Sequence, residues 1–399
     1  MLISTGQPST NPRIVKEADV LQAAGFEVTL LYCHFINWAT EADKNLLKDV
    51  AWKYKMTGGS PFQNKVLYAF TRLRFRLARL INNYFGNKML VAERAQARAY
   101  DELLKAAKKI KADWYIGHNL GALSIVVKAA TLNGGKAGFD FEDYHRGENN
   151  EATKEESDRI IYLENKYVTQ LDYISAASPL IAEKIGEHFP LQKNNIITLL
   201  NCFPLTQQPA FREKDITDRC LKLFWFSQTI GINRGLELLI EAITALNDPD
   251  IHLTLAGRCN EDMLNYIKTH ANDMFDNIHF AGIVQPELLP AFASQYDVGI
   301  AIELSVPTNR NICLTNKIFT YLLAGNAIIL TETAMQLAFN NRYHVGESIM
   351  VNKRNELIQK IELYKDINIL NTQKIFNYKL AQDHLNWEEE SKKLLAVIK

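Results

Sequence analysis

No apolar run in this chain of 399 residues reaches the roughly 20 residues that a membrane-crossing helix needs, and no signal-peptide pattern opens it. A protein of the soluble cytoplasm is the expectation. Net charge is absent too: Lys plus Arg and Asp plus Glu both number 45, which removes any global pull toward nucleic acid. Close cysteine pairs are missing. Cys33, Cys202, Cys220, Cys259 and Cys313 form an odd, scattered set that suits a reducing compartment rather than a disulfide framework. The Gly-x-Gly-x-x-Gly of nicotinamide-dependent oxidoreductases is not found, since the first loop has Gly6 alone. Even the opening strand is meagre: Met1 to Thr5 is barely long enough, so either the first strand is short or the start was placed late.

What is present is alternation. The hydrophobic share of 47% fills two cores, and the length suits two domains. In the first half, strands are predicted at Leu2 to Thr5, Phe26 to Cys33, Asp113 to Gly117, Lys136 to Asp140, Tyr173 to Ala177 and Ile196 to Leu200, with helices between. A polar stretch, Thr206 to Arg219, reads as the interdomain linker. The second half repeats the pattern, with strands at Leu221 to Phe226, Ile251 to Ala256, Ile278 to Ala281 and Ile349 to Val351. An α/β protein with two parallel-sheet domains follows. Residues 1–205 and 206–375 form the domains, and residues 376–399 a helical tail.

The most informative stretch, residues 297–332, reads as strand, loop, helix and strand. Glu303 ends the first strand, and Thr315, Asn316 and Lys317 open the helix. Ligands bind at that edge of an open α/β sheet, and such a helix start suits a phosphate. A second junction lies at Arg234, ahead of a helix begun at Gly235. An arginine there can grip a diphosphate bidentately, a surface arginine being the plain alternative. Two cation-bearing junctions in one domain could converge on one phosphate pair.

Between the second and third strands lies a helical insertion, residues 64–111. Val66, Phe70, Leu73, Leu77, Leu80 and Tyr84 share a face, with Lys65, Arg72, Arg76 and Arg79 beside it, and no acid occurs between Asn64 and Val91. The part at 64–85 is a candidate for peripheral membrane contact or partner docking. Packing on its own sheet is the alternative, because apolar stripes at this spacing usually face a core.

FSQTIGINRGLELLIEAI, beginning at Phe226, resembles the donor-binding loop of GT-B glycosyltransferases, the family 4 group of retaining enzymes. LTLAGRCNED, IHFAGIVQPELLPAFASQYDVGIAI and NKIFTYLLAGNAII resemble the elements that follow in that family, in the same order, and Asn386-Trp387-Glu388 resembles the terminal helix that crosses back to the first domain. The likeness covers most of residues 221–399. It implies two Rossmann-like domains facing a cleft. It also implies that a nucleotide-diphosphate sugar, UDP- or GDP-linked, donates its sugar with retention, without metal or other cofactor. Gly6, Ser227, Gln228, Arg234, Asn316, Lys317 and Thr320 would then bind the donor. In the first domain, DWYIGHNLGAL resembles the strand whose histidine faces the donor sugar, which makes His118 a catalytic candidate with Glu303. A lone histidine is otherwise more often structural. GFDFEDYHRGE resembles an acid/His loop on the acceptor side, giving Asp143 and His145, and STGQPSTNPR resembles the first loop, giving Gly6 and Arg13. The crowd of Asp140, Glu142, Asp143, His145 and Glu148 has metal-ligand chemistry, whereas the resemblance implies none bound.

Departures are specific. Gln228 stands where the family has an arginine, Arg234 where it has a lysine, and Ile312 and Thr320 where it has its pair of glutamates. Glu303 is a candidate replacement for part of that pair. A glycan or lipid-linked acceptor in cell-surface polysaccharide synthesis is the expected partner. The competing readings are a non-catalytic sugar- or nucleotide-binding protein and a sugar-nucleotide epimerase.

Overall fold

Residues 1–87 and 91–399 are described by a computed structural model of the protein. They form two units: Met1–Leu199 with Ser391–Lys399, and Leu200–Glu390. The first is built on seven strands: β1 (Leu2–Ser4), β2 (Thr29–Cys33), β3 (Lys53–Thr57), β4 (Trp114–His118), β5 (Lys136–Phe141), β6 (Tyr173–Ala176) and β7 (Ile196–Thr198). They lie in the order β3-β2-β1-β4-β5-β6-β7, every pairing parallel. The central strands are buried on both faces and read as apolar runs for that reason. The first strand is indeed short, with three residues, yet it pairs on both sides.

Strand β3 was not anticipated. Its Lys53, Tyr54 and Lys55 are exposed on the sheet edge, where lysines blunt further pairing and also erase the apolar pattern. The helical insertion therefore follows the third strand rather than the second.

Its main helix, Lys65–Phe85, ends at Gly86 in a left-handed conformation. Packing is the reverse of the sheet-facing alternative. Val66 is 86% exposed and Tyr84 82%, and Phe70, Leu73, Leu77 and Leu80 are exposed with them. The face that docks carries Thr71, Ala78 and Asn82, small or polar residues that bring the backbone close. Arg74 fastens it through Glu102 and, at 3.2 Å, Asp101.

The second unit holds β8 (Leu221–Ile230), β9 (Ile251–Cys259), β10 (Ile278–Gly282), β11 (Val298–Ala301), β12 (Ala327–Thr331) and β13 (Glu347–Ile349). Their order is β10-β9-β8-β11-β12-β13, again parallel. The polar stretch Thr206 to Arg219, predicted as the interdomain linker, packs within this unit. Lys214 Nζ is 2.9 Å from Asp297, Gln208 donates to the Tyr378 carbonyl, and the Tyr378 hydroxyl donates to the Pro209 carbonyl. The last segment is tied in as well: Trp387 N–H donates to Phe203 O, and the Glu388 carboxylate accepts from Leu205 N–H. Ser391–Lys399 pack in the first unit, where Trp114 Nε1 donates to Ile398 O.

One close approach sets the helix Asn316–Ala324 on its sheet. The Tyr321 hydroxyl, fully buried, donates to Phe224 O at 3.0 Å, with Ile300 O at 3.3 Å. Its ring lies flat on Gly299, where a Cβ would come within 2.2 Å of it. Gly299→Ala is expected to lower stability by about 1–3 kcal/mol, the usual cost of overpacking. A urea midpoint unchanged by the substitution would show that Tyr321 is not held as described.

Candidate functional site

In the second unit the strand-to-helix junctions after β8 and β11 lie side by side, because these two strands are neighbours at the point where the sheet's winding reverses. Strand β8 runs to Ile230, past the expected end at Phe226, with a register break between Phe226 and Thr229. Ser227 and Gln228 thus belong to the strand, not to a polar loop, because the bulge lets pairing with β9 resume at Thr229. Gln228 is exposed there, and Ser227 is half-buried with its Oγ accepting from Arg234 Nη1 at 3.1 Å. Gly235 follows at a φ of +80°, capping the helix Leu236–Leu246; a Cβ there would stand 2.5 Å from Ile302.

At the second junction Thr315 precedes the helix Asn316–Ala324 without capping it through its side chain. The first-turn amides of a helix have no intrahelical acceptor and carry the positive end of its dipole. Asn316 is exposed and accepts from Asn201 at 2.8 Å. Lys317 Nζ lies 2.5 Å from Glu303 Oε1 and 5.1 Å above the Trp225 ring. Glu303 is 7% exposed and locked by its backbone: its N–H donates to Thr331 Oγ1, which donates back to the Glu303 carbonyl. Its carboxylate therefore fixes Lys317. Arg310, which the sequence reading passed over, completes the group, with Nε 3.9 Å from Glu303 and Nη1 donating to Asn233 O. It sits on a short helix, Thr308–Ile312, inside what was read as loop. Thr320 makes no hydrogen bond to this group. It is 0% exposed with an unpartnered Oγ1, one turn along the helix from Asn316 and Lys317.

In the first unit the register aligns Ser4, His118, Asp140 and Ser175 across β1, β4, β5 and β6. The helix Pro12–Ala23 lays Arg13 and Glu17 against this row. Arg13 donates to both Asp140 oxygens at 2.7 and 2.8 Å and to Leu199 O at 2.7 Å. Ser175 adds a bond to Asp140 at 2.6 Å, and His118 lies between Glu17, 3.0 Å from Nε2, and Asp140, 3.5 Å from Nδ1. Arg13 is 0% exposed and His118 1%. The acceptor contact expected of Arg13 is corrected, because its guanidinium is taken up by buried partners far away in sequence, whereas His118 keeps Nδ1 without a hydrogen bond of normal geometry. Glu17, His118 and Asp140 also offer a metal-like donor set, with ligand atoms within 4.8 Å, but Arg13 already supplies the cation there.

Gly6 lies beside this row, its N–H donating to Ser4 Oγ. A Cβ would meet Thr10 at 3.3 Å, so its small size admits the loop. Asp143 and His145 follow the carboxyl end of β5, both half-buried. His145 Nδ1 is 3.2 Å from Glu148, and its ring packs 5.6 Å from Phe141.

Burial opposes charge on His118, but Glu17 and Asp140 hold its pKa above the ordinary 6.5. Burial likewise opposes charge on Asp140, and Arg13 and His118 outweigh it, holding that pKa below the usual carboxylate value. Glu142, at the end of the same strand, is pushed up to about 7 by burial, with Asp143 and Asp140 adding to it. A raised imidazole value means that the stabilisation from protonated His118 is complete below its unfolded pKa, about 6.5. It is lost as pH rises through the folded value. The urea-midpoint advantage of the natural protein over His118→Gln should shrink as pH is raised from 6 to 9. A constant advantage across that range would mean that His118 is buried neutral.

No protein-family model matches the chain, and no curated protein matches it in sequence. Solved structures do match. HepE of Anabaena, in complex with UDP and glucose, superposes with a TM-score of 0.70 at 12% identity, over 100% of this chain and 98% of that one. Sucrose-phosphate synthase from Thermosynechococcus elongatus gives 0.70 at 11%, over 100% and 98%. A glycosyltransferase from Rickettsia africae gives 0.67 at 11%, over 100% and 97%. With two Rossmann-like parallel sheets of seven and six strands, matched along its whole length, the chain has the GT-B fold.

Proposed function

We propose that this protein is a glycosyltransferase. It takes a hexosyl group from a nucleotide-diphosphate sugar, uridine-linked, and passes it with retention to a lipid-linked glycan at the cytoplasmic face of a membrane, in the building of cell-surface polysaccharide. The observation that carries this reading is the pair of cation-bearing junctions, Arg234 and Lys317, after adjoining strands of one sheet. HepE structures hold UDP and UDP-glucose, and that of TarM from S. aureus holds UDP, which supports the uridine choice.

As the bond between sugar and diphosphate breaks, negative charge gathers on the leaving phosphate oxygens. Arg234, with its planar fork, and Lys317, a point charge, stabilise it together with the first-turn amides beginning at Asn316. This needs no bound metal for charge neutralisation. Glu303 acts through Lys317 as a positioning residue. Asp143 and His145 are assigned to the acceptor.

Calorimetry with UDP and GDP tests the donor site. UDP should bind in the roughly micromolar range, and Arg234→Ala and Lys317→Ala should each weaken it about tenfold or more, the loss of one charge-assisted contact. Absence of binding by either nucleotide would sink the donor reading. UDP binding without sugar release from UDP-sugars, acceptor supplied, would favour the non-catalytic reading, to which the buried Thr320 and Ile312 in place of the acid pair already point.

The exposed apolar stripe of the Lys65–Phe85 helix, flanked by arginines, supports the membrane contact. Replacing Arg72, Arg76 and Arg79 with Glu should abolish binding to anionic vesicles. Failure of the natural protein to bind such vesicles at all would end that part.

A further inference from the structure

A groove of about 990 Å³ runs along the open edge of the first unit's sheet, outside β3. Its floor is the edge itself, the unbroken stretch from Tyr54 to Ser60. The helix Ala39–Leu46 supplies one wall and the helix Tyr100–Lys108 the other. The chain leaves β3 through Gly58 and Gly59, at φ of +73° and +65°, and turns into the Lys65–Phe85 helix. Among the described residues no further strand covers the edge. Lys53 N–H donates to Val28 O, so in a parallel ladder Lys53, Lys55 and Thr57 turn their backbone groups toward β2. The N–H and C=O groups of Tyr54 and Met56 turn outward, and among the described residues they have no partner.

Side chains sort by face. Lys55 and Thr57 lie on the side of the helix Tyr100–Lys108, where Thr57 Oγ1 is 3.5 Å from Cys33 Sγ and Glu102 stands near that thiol. Lys105 and Lys109 line the groove on the same side. Among the described residues none of these lysines has a carboxylate within ion-pair distance, and Glu102 is taken by Arg74. Like charges gathered along a groove are costly without an anion to share. The other face adds an independent sign. Tyr32 is 7% exposed and lines the groove, and its hydroxyl makes no hydrogen bond among the described residues. Burial, with Asp43 and Tyr54 adding to it, pushes its pKa up, so it stays a donor. Asp43 itself is occupied, accepting from Gln7 Nε2 at 2.7 Å and from Ser9 N–H at 2.9 Å.

We propose that this edge receives an extended, acidic segment of a partner protein as an additional outer strand. Backbone bonds to Tyr54 and Met56 supply affinity, and alternate side chains select the partner. Residues on one face of the segment meet Lys55, Lys105 and Lys109 and are acidic. Those on the other face meet the Tyr54 ring and the Tyr32 hydroxyl, which suits a small β-branched side chain that accepts a hydrogen bond. The same lysines argue against a second copy of this chain, because two such edges would bring Lys53 and Lys55 against their own kind. The inference goes beyond the glycosyltransferase reading and does not depend on it.

The test is fluorescence anisotropy on the full chain with a labelled, end-capped peptide of alternating Glu and Thr. It should bind. Lys105 and Lys109 are exposed and make no ion pairs among the described residues, so Lys105→Glu with Lys109→Glu leaves the fold and the urea midpoint intact. The double variant should bind the peptide about tenfold or more weakly. Two further peptides, N-methylated at every Glu or at every Thr, separate strand pairing from charge alone. Alternate residues of a strand face opposite edges, so only one of the two should lose binding. No binding of the alternating peptide, equal affinity in the double variant, or equal affinity of the two methylated peptides would overturn the proposal. So would tighter binding of trigalacturonate, which would make the groove a site for an acidic saccharide. Loss of UDP binding with peptide binding intact would remove the donor reading and leave this edge standing.

Discussion

Both units rest on one constraint: a parallel sheet whose chain reverses its direction of winding once. Right-handed crossovers place successive helices on one face while the chain winds one way and on the other face after it turns back. In the second unit β8, β9 and β10 run out to one edge, and β11 then returns to the other side of β8. Loops leaving β8 and β11 must therefore part, and a crevice opens at their carboxyl ends. Everything offered there as phosphate chemistry, from Arg234 to the helix start at Asn316, is placed by that reversal. Two glycines make it dimensionally possible, Gly235 by its positive φ and Gly299 by admitting the Tyr321 ring.

The first unit obeys the same rule and uses its charge differently. At its reversal, between β1 and β4, the residues in register are buried. Arg13, Asp140, Glu17 and His118 make a buried set in which basic and acidic groups lie side by side inside the protein. Taking such a set out of water is expensive, and breaking it costs about 3–5 kcal/mol, so it holds the helix Pro12–Ala23 in place.

Much of the architecture was legible because two-sided burial writes strands such as β4, β5 and β12 as apolar runs, and glycine or asparagine ends the helices. The junctions at Arg234 and at Asn316–Lys317 were legible for the same reason. What escaped was set by distant partners. Strand β3 is written in lysines because it is an edge. Arg13 and His118 look functional in isolation, and only partners more than a hundred residues away, Asp140 and Glu17, show them to be internal. Ser227 and Gln228 were misplaced because a bulge hides the continuation of β8. The Lys65–Phe85 helix defeated the ordinary rule of amphipathicity, since its docking face is its small one.

The missing glutamates of the donor loop invite the thought that the site is dead, and the charge around Glu303 argues against it. Ile312 and Thr320, on two successive helices, are both buried. Arg234, Arg310 and Lys317 remain, with Glu303 paired to Lys317 and 3.9 Å from Arg310. The two phosphates of a nucleotide sugar carry about one negative charge each, and in the proposed reading cations beside them would gain most when charge builds up in the transition state. Without Glu303 the half-buried Lys317 would lack a partner, and the empty site would hold three cations repelling one another. In the proposed glycosyltransferase reading Glu303 would serve the resting protein and the reaction alike: it holds the ammonium group over Trp225, where a leaving phosphate would take it over.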